Sequence, residues 1–196
     1  MTAPDFGTYA LHGWRAALLS FAQNLPANWF GRRFALLCRK LVLASGPDIV
    51  DATVENIRFR LHMRDNVSER KYLFLPQFFD AFERAELRRR LSAQSVFVDI
   101  GANAGIYTLT AAGTGARVIA VEPNPVVLQR LQYNLAVNDL SARVVTVQKG
   151  VSDAKGVFDL VLDDTNLGGS SLVAARSDQV LKIECDLLQN ILQQQA

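Results

Sequence analysis

Apolar residues early in the chain recur at helical spacing, and from about residue 54 they give way to short runs and alternations. Leu11, Trp14, Leu18 and Phe21 predict a helix within residues 8–24, ended by Pro26. Phe30, Phe34, Leu37 and Leu41 predict a second helix from Trp29 to Leu43, with Arg32, Arg33 and Lys40 elsewhere on its circumference and Ser45-Gly46-Pro47 as its stop. The apolar side of that helix is expected to pack inward, with contact to a membrane surface left open as its other use. Partial alternation over 54–63 predicts a strand, and Phe78, Phe82, Leu87 and Leu91 predict a helix over 78–91. Three short apolar runs, Val96–Ile100, Val118–Val121 and Val144–Val147, read as buried strands. They are separated by helical patterns over 105–113 and 125–137, the second with Pro125 in its first turn. Residues 157–162 and 171–174 read as antiparallel strands around Gly168-Gly169, and 180–192 as a short strand followed by a helix.

The densest chemistry lies in V-F-V-D-I-G-A-N-A-G-I-Y, residues 96–107. A β-branched run ends in Asp99 and breaks into a loop with Gly101 and Gly105 on either side of Asn103. The next strand ends in Glu122, seventeen positions after Gly105. Strand, glycine-rich turn, helix, strand and terminal acid are the parts of a nucleoside-binding βαβ unit, in which the second acid accepts from the ribose hydroxyls. The glycines are expected to let a ligand approach the backbone. Asn103 stands where a dinucleotide fingerprint has its middle glycine, which disfavours a pyrophosphate. Asp99 suits a cationic ligand such as S-adenosylmethionine, which carries a sulfonium and an ammonium. The plainer alternative is that Asp99 and Asn103 cap the helix and shape the turn.

V-F-V-D-I-G-A-N-A-G-I-Y-T-L, V-I-A-V-E-P-N-P and V-L-Q-R-L-Q-Y-N-L-A-V-N together resemble the FkbM family of S-adenosylmethionine-dependent methyltransferases. The likeness continues through R-V-V-T-V-Q-K-G-V-S-D (143–153) and G-G-S-S-L (168–172) and is absent before residue 50. It implies an α/β, Rossmann-like class I methyltransferase domain, a three-layer sandwich, over 51–196, preceded by a helical segment over 1–50. It also implies O-methylation of a hydroxyl on a sugar, lipopolysaccharide or polyketide-type metabolite. Asp99, Gly101, Ala102, Asn103, Gly105 and Glu122 would then contact the cofactor. Ser152, in the loop after the third core strand, is a candidate for the adenine amino group, with an ordinary strand exit as the equal alternative.

Such a sheet usually has seven strands, and only the first three parallel ones are legible before residue 150. The domain is therefore expected to be incomplete in its C-terminal half, with an uncovered edge beside the Val96 strand and oligomer formation as one way to shield it. That leaves two other functions open: a non-catalytic nucleoside-binding module, and an NAD(P)-dependent oxidoreductase, against which the G-x-N-x-G loop argues. His62, alone in a predicted strand, is not assigned as a base, and no catalytic residue is named.

Composition narrows the remainder. At 196 residues and 49% hydrophobic, the chain is an ordinary globular protein. Residues 1–95 hold 14 Lys/Arg against 9 Asp/Glu, and 96–196 hold 7 against 10. No aromatic-interleaved basic motif points to nucleic acid, so a small-molecule or glycan acceptor is the expected partner. Cys38 and Cys185 lack metal-ligand spacing, so no metal is expected. The absence of any disulfide demand, signal-peptide pattern or membrane-length apolar stretch makes the cytoplasm the expected compartment.

Overall fold

A computed structural model describes residues 3–44, 46–162, 166–169 and 180–195. The chain divides into two compact units, Met1–Glu83 and Arg84–Ala196. The break expected at residue 50 falls inside a strand of the first unit.

The first unit contains α1 (Gly13–Gln23), α2 (Trp29–Leu43), a β-hairpin of β1 (Ile49–Val54) and β2 (Ile57–His62), and α3 (Val67–Phe74). The strand expected over 54–63 is present as β2, and it pairs antiparallel with β1, which the sequence pattern does not show. Glu55 and Asn56 form its two-residue turn, both at positive φ (49° and 67°), the conformation that matches the twist of a tight hairpin. α2 has the predicted bounds, and the Asn28 side chain caps it by accepting from Gly31 N at 2.9 Å. Its expected inward face is corrected. Gly31, Ala35, Cys38 and Val42 are buried, whereas Phe30, Phe34, Leu37 and Leu41 are exposed. Small side chains let α2 approach its neighbours closely, and the bulky ones remain outside.

α4 (Ala81–Arg90) spans the division between the units. The second unit holds β3 (Val96–Ile100), α5 (Ile106–Ala112), β4 (Arg117–Val121), α6 (Pro125–Ala136) and β5 (Val144–Val147). The three strands form a parallel sheet in the order β3-β4-β5, the βαβαβ arrangement of a Rossmann-like α/β fold. Leu109, Leu131 and Leu135 bury the inner faces of α5 and α6. β4 is central. β3 lies at the sheet edge among the described residues, and Val96 and Ile100 are more than half exposed.

A second three-stranded sheet follows, with β6 (Gly150–Val151), β7 (Gly156–Val161) and β8 (Val180–Asp186) in the order β6-β8-β7, then α7 (Leu188–Gln193). β7 pairs antiparallel with β8 from Gly156 opposite Cys185 to Val161 opposite Val180. The strand expected over 171–174 lies outside the described residues. Leu167–Gly169 is a single 3₁₀ turn.

Candidate functional site

The loop joining β3 to α5 lies against the C-terminal end of β4, where ligands bind in open α/β sheets. Gly101, Asn103 and Gly105 all adopt left-handed φ, at 74°, 50° and 95°. The two glycines serve different ends. A Cβ at Gly101 would meet nothing within 4 Å. A Cβ at Gly105 would lie 2.3 Å from Leu131 Cδ1 and 2.6 Å from Leu109 Cδ1. A Cβ at Gly105 would press on the ends of two leucine side chains of α5 and α6, whereas one at Gly101 would meet open space.

Every backbone N–H from residue 101 to 105 is bonded within the protein. Gly101 N and Ala102 N both donate to Val121 O, at 2.9 and 3.1 Å. Asn103 N donates to Glu122 Oε2 at 2.9 Å, Ala104 N to Asn103 Oδ1 at 2.7 Å, and Gly105 N to Ala102 O at 2.9 Å. A pyrophosphate cradle works by aiming free N–H groups at the ligand. This loop has none to aim.

The structure places Asp99 and Glu122 at the ends of neighbouring parallel strands, both nearly buried. Asp99 Oδ2 accepts from Thr108 Oγ1 in the first turn of α5 at 2.5 Å. It therefore occupies the helix end that an anionic ligand would need. Glu122 accepts from Asn103 N through Oε2 and from Asn124 N through Oε1, each at 2.9 Å, and so ties the loop to the strand. Burial pushes both carboxyls above the ordinary range, against the lowering effect of these hydrogen bonds, and the Asp99 charge pushes Glu122 up further. Among the described residues no Lys, Arg or His forms an ion pair with either acid.

Three residues that sequence reasoning passed over build this arrangement. Thr108 holds Asp99. Asn124 caps α6 by accepting from Val126 N at 3.0 Å, an Asn-Pro start legible in the sequence. Fully buried Asn134 donates from Nδ2 to Ala104 O at 3.0 Å and locks α6 to the loop. Ala102, within the loop, is buried. Ser152 takes part in none of these hydrogen bonds. It follows β6 in the second sheet, where its N donates to Asp186 O and its hydroxyl lies 3.2 Å from Asp153 Oδ1. His62 belongs to the first unit, where its N–H donates to Glu69 Oε2.

The family model of the Methyltransferase FkbM domain matches residues 99–194, which begin at Asp99. Over those residues the chain is similar to that family. The methyltransferase sdnD of Sordaria araneosa is 33% identical over 92 residues, 46% of this chain and 36% of the relative. The chain thus matches about a third of the length of that curated relative. Among solved structures, P. horikoshii TYW2 in complex with MeSAdo is 22% identical over 63% of this chain and 49% of its own, with a TM-score of 0.48. M. jannaschii TYW2 in complex with AdoMet is 18% identical over 60% and 48%, with a TM-score of 0.41. The aTrm5 structure in complex with tRNALeu is 19% identical over 55% and 29%, with a TM-score of 0.45. No helix among the described residues is long and apolar enough to cross a membrane.

Proposed function

We propose that the FkbM domain binds S-adenosylmethionine between Asp99, the Gly101–Gly105 loop and Glu122. The observation that carries this reading is the donor set. The loop offers no free N–H to an anion, while two buried carboxylates lack a cationic partner. A ligand bearing a sulfonium and an ammonium supplies the missing positive charge, and a dinucleotide brings more negative charge. The open space before Gly101 leaves room for the ligand. Each carboxylate oxygen of Glu122 uses one acceptor direction on a backbone N–H and keeps another for a ribose hydroxyl. Ser152, at the exit of β6, is the proposed contact on the adenine side.

The bound cofactor would supply an activated methyl group, and the chain's own residues align it and exclude water. The proposed reaction is methylation of a hydroxyl on a sugar, lipopolysaccharide or polyketide-type metabolite by the protein to which this chain contributes the cofactor site. Calorimetric titration of the chain with S-adenosylmethionine, S-adenosylhomocysteine and NAD tests the cofactor assignment. S-adenosylmethionine is expected to bind more tightly than NAD, and the reverse order overturns the reading. Transfer of labelled methyl to a panel of hydroxylated acceptors then separates an enzyme from a module that only binds.

A further inference from the structure

We infer that the α1–α2 helices of the first unit dock on the surface of an anionic lipid bilayer, a property independent of the cofactor reading. α2 divides into four strips at helical spacing. Gly31, Ala35, Cys38 and Val42 are buried. Next to them run Phe30, Phe34, Leu37 and Leu41, between 46% and 66% exposed. Arg33 and Lys40 border that apolar strip, and Arg32 and Arg39 lie beyond them. Trp14 and Phe21, two turns apart on α1, are also more than half exposed, as is Trp29. Two consecutive helices thus each leave bulky apolar side chains in water, as surfaces that bind another body do.

Charge identifies the partner. Residues 6–47 contain five cations, Arg15, Arg32, Arg33, Arg39 and Lys40, and no Asp or Glu. Arg32, Arg33, Arg39 and Lys40 form no ion pair among the described residues. Arg33 lies over the Trp29 ring at 5.2 Å, and Arg15 over the Trp14 ring at 5.1 Å, pairing each exposed indole with a cation. Tryptophan beside arginine, an apolar strip and a cationic border are what a helix lying in the headgroup region requires. A second copy of the chain is a poorer partner. A two-fold interface sets a patch against itself and would bring cations against cations.

The far flank of α2 adds a place for a headgroup. Arg32, Leu36 and Arg39 line a cavity of about 480 Å³ with Lys71, Leu75 and Phe78. Three cations over an apolar floor suit a lipid phosphate and its adjoining chain, with the Asp80 carboxylate at the same cavity. Each basic residue near an anionic surface strengthens attachment to it.

Vesicle binding tests this with the whole chain. Both tryptophans lie on these helices, so their emission reports on α1 and α2 alone. Vesicles of mixed phosphatidylglycerol and phosphatidylcholine are expected to co-sediment with the chain and shift tryptophan emission to the blue. Pure phosphatidylcholine is expected to bind at least about tenfold more weakly, and raised salt to weaken the anionic binding. Arg33→Glu with Lys40→Glu is expected to abolish binding, and Phe34→Ser with Leu37→Ser to reduce it at least about tenfold. All four positions are exposed, so helix content and melting temperature should be unchanged. No binding to anionic vesicles, equal binding to neutral ones, or wild-type binding by either folded variant overturns the proposal. So does a solution dimer that the serine pair dissociates, which would make the face a self-interface.

Discussion

Asp51 in the first unit and the pair Asp99 and Glu122 in the second are buried carboxylates completed in opposite ways. Asp51 faces Arg60 across the hairpin, Nε to Oδ1 at 2.7 Å and the second guanidinium nitrogen to Oδ2 at 2.9 Å. Gly7 N and Tyr9 N also donate to it, and Arg60 donates to the carbonyls of Pro4 and Asp5, so the pair fastens the N-terminal arm to the sheet. Burial raises the Asp51 carboxyl, but the Arg60 hydrogen bond, the two backbone donors and the guanidinium charge outweigh it and hold it below the ordinary range. Asp99 and Glu122 have only neutral donors and stay above that range. A structural acid is neutralised by the fold itself. An acid left with its charge uncompensated raises the energy of the unliganded domain, and a cationic ligand removes that cost.

Breaking the completed pair should have the largest effect. Asp51→Ala leaves Arg60 buried without its counter-charge and frees two backbone donors, so the first unit should lose about 3–5 kcal/mol of stability. Hydrogen exchange resolved by residue checks this, with faster exchange expected in β1 and β2. Unchanged protection there would show that the pair only decorates the hairpin.

The two site acids should separate under substitution. Glu122→Ala removes the acceptor of Asn103 N and Asn124 N, so stability should fall by about 1–3 kcal/mol along with ligand binding. Asp99→Asn keeps an acceptor for Thr108 and removes a buried charge. The unliganded domain should hold or gain stability, while S-adenosylmethionine binding weakens by about 1.5–3 kcal/mol, the scale of a hydrogen bond to a charged group. Paired denaturant titrations and calorimetry decide it. If Asp99→Asn destabilised the domain and left binding intact, Asp99 would be a helix cap and nothing more.

The same contrast explains what could be read before the fold was known. α2 and α6 carry equally clear helical periodicity, and both helices are present. In α6 the apolar positions Val127, Leu128, Leu131 and Leu135 are buried as their pattern implies. In α2 the small residues are inside instead, because periodicity locates a stripe without saying which stripe meets the core. The hairpin was missed because its turn is Glu55-Asn56 rather than Asn-Gly. α3 was missed because Tyr72, Leu73 and Phe74 cluster at its end, although Asn66 accepting from Glu69 N is a legible cap. The loop 101–105 was legible as residue types. Its bonding was not, since Val121 O, Glu122 and Asn134 reach it from other elements.

The smallest effect, and the one that sharpens the comparison furthest, is the response of the two regions to acid. Asp51 titrates below its unfolded value, so its contribution is present above the ordinary carboxylate range and is lost as pH falls through its folded value. Asp99 and Glu122 titrate above theirs, so the folded domain holds their protons more tightly than the unfolded chain does. Their terms favour folding below the ordinary range and lose that advantage as pH rises through the raised values. Lowering pH from about 7 to about 4 should therefore relieve the region around the loop, and the hairpin should loosen only as pH falls below about 4. S-adenosylmethionine should follow the acids, binding less tightly as each is protonated and its charge lost. Exchange rates and calorimetry across this range give the two slopes separately. Parallel slopes in the two regions would mean that the site acids are as fully compensated as Asp51, and would remove the electrostatic reason for a cationic ligand.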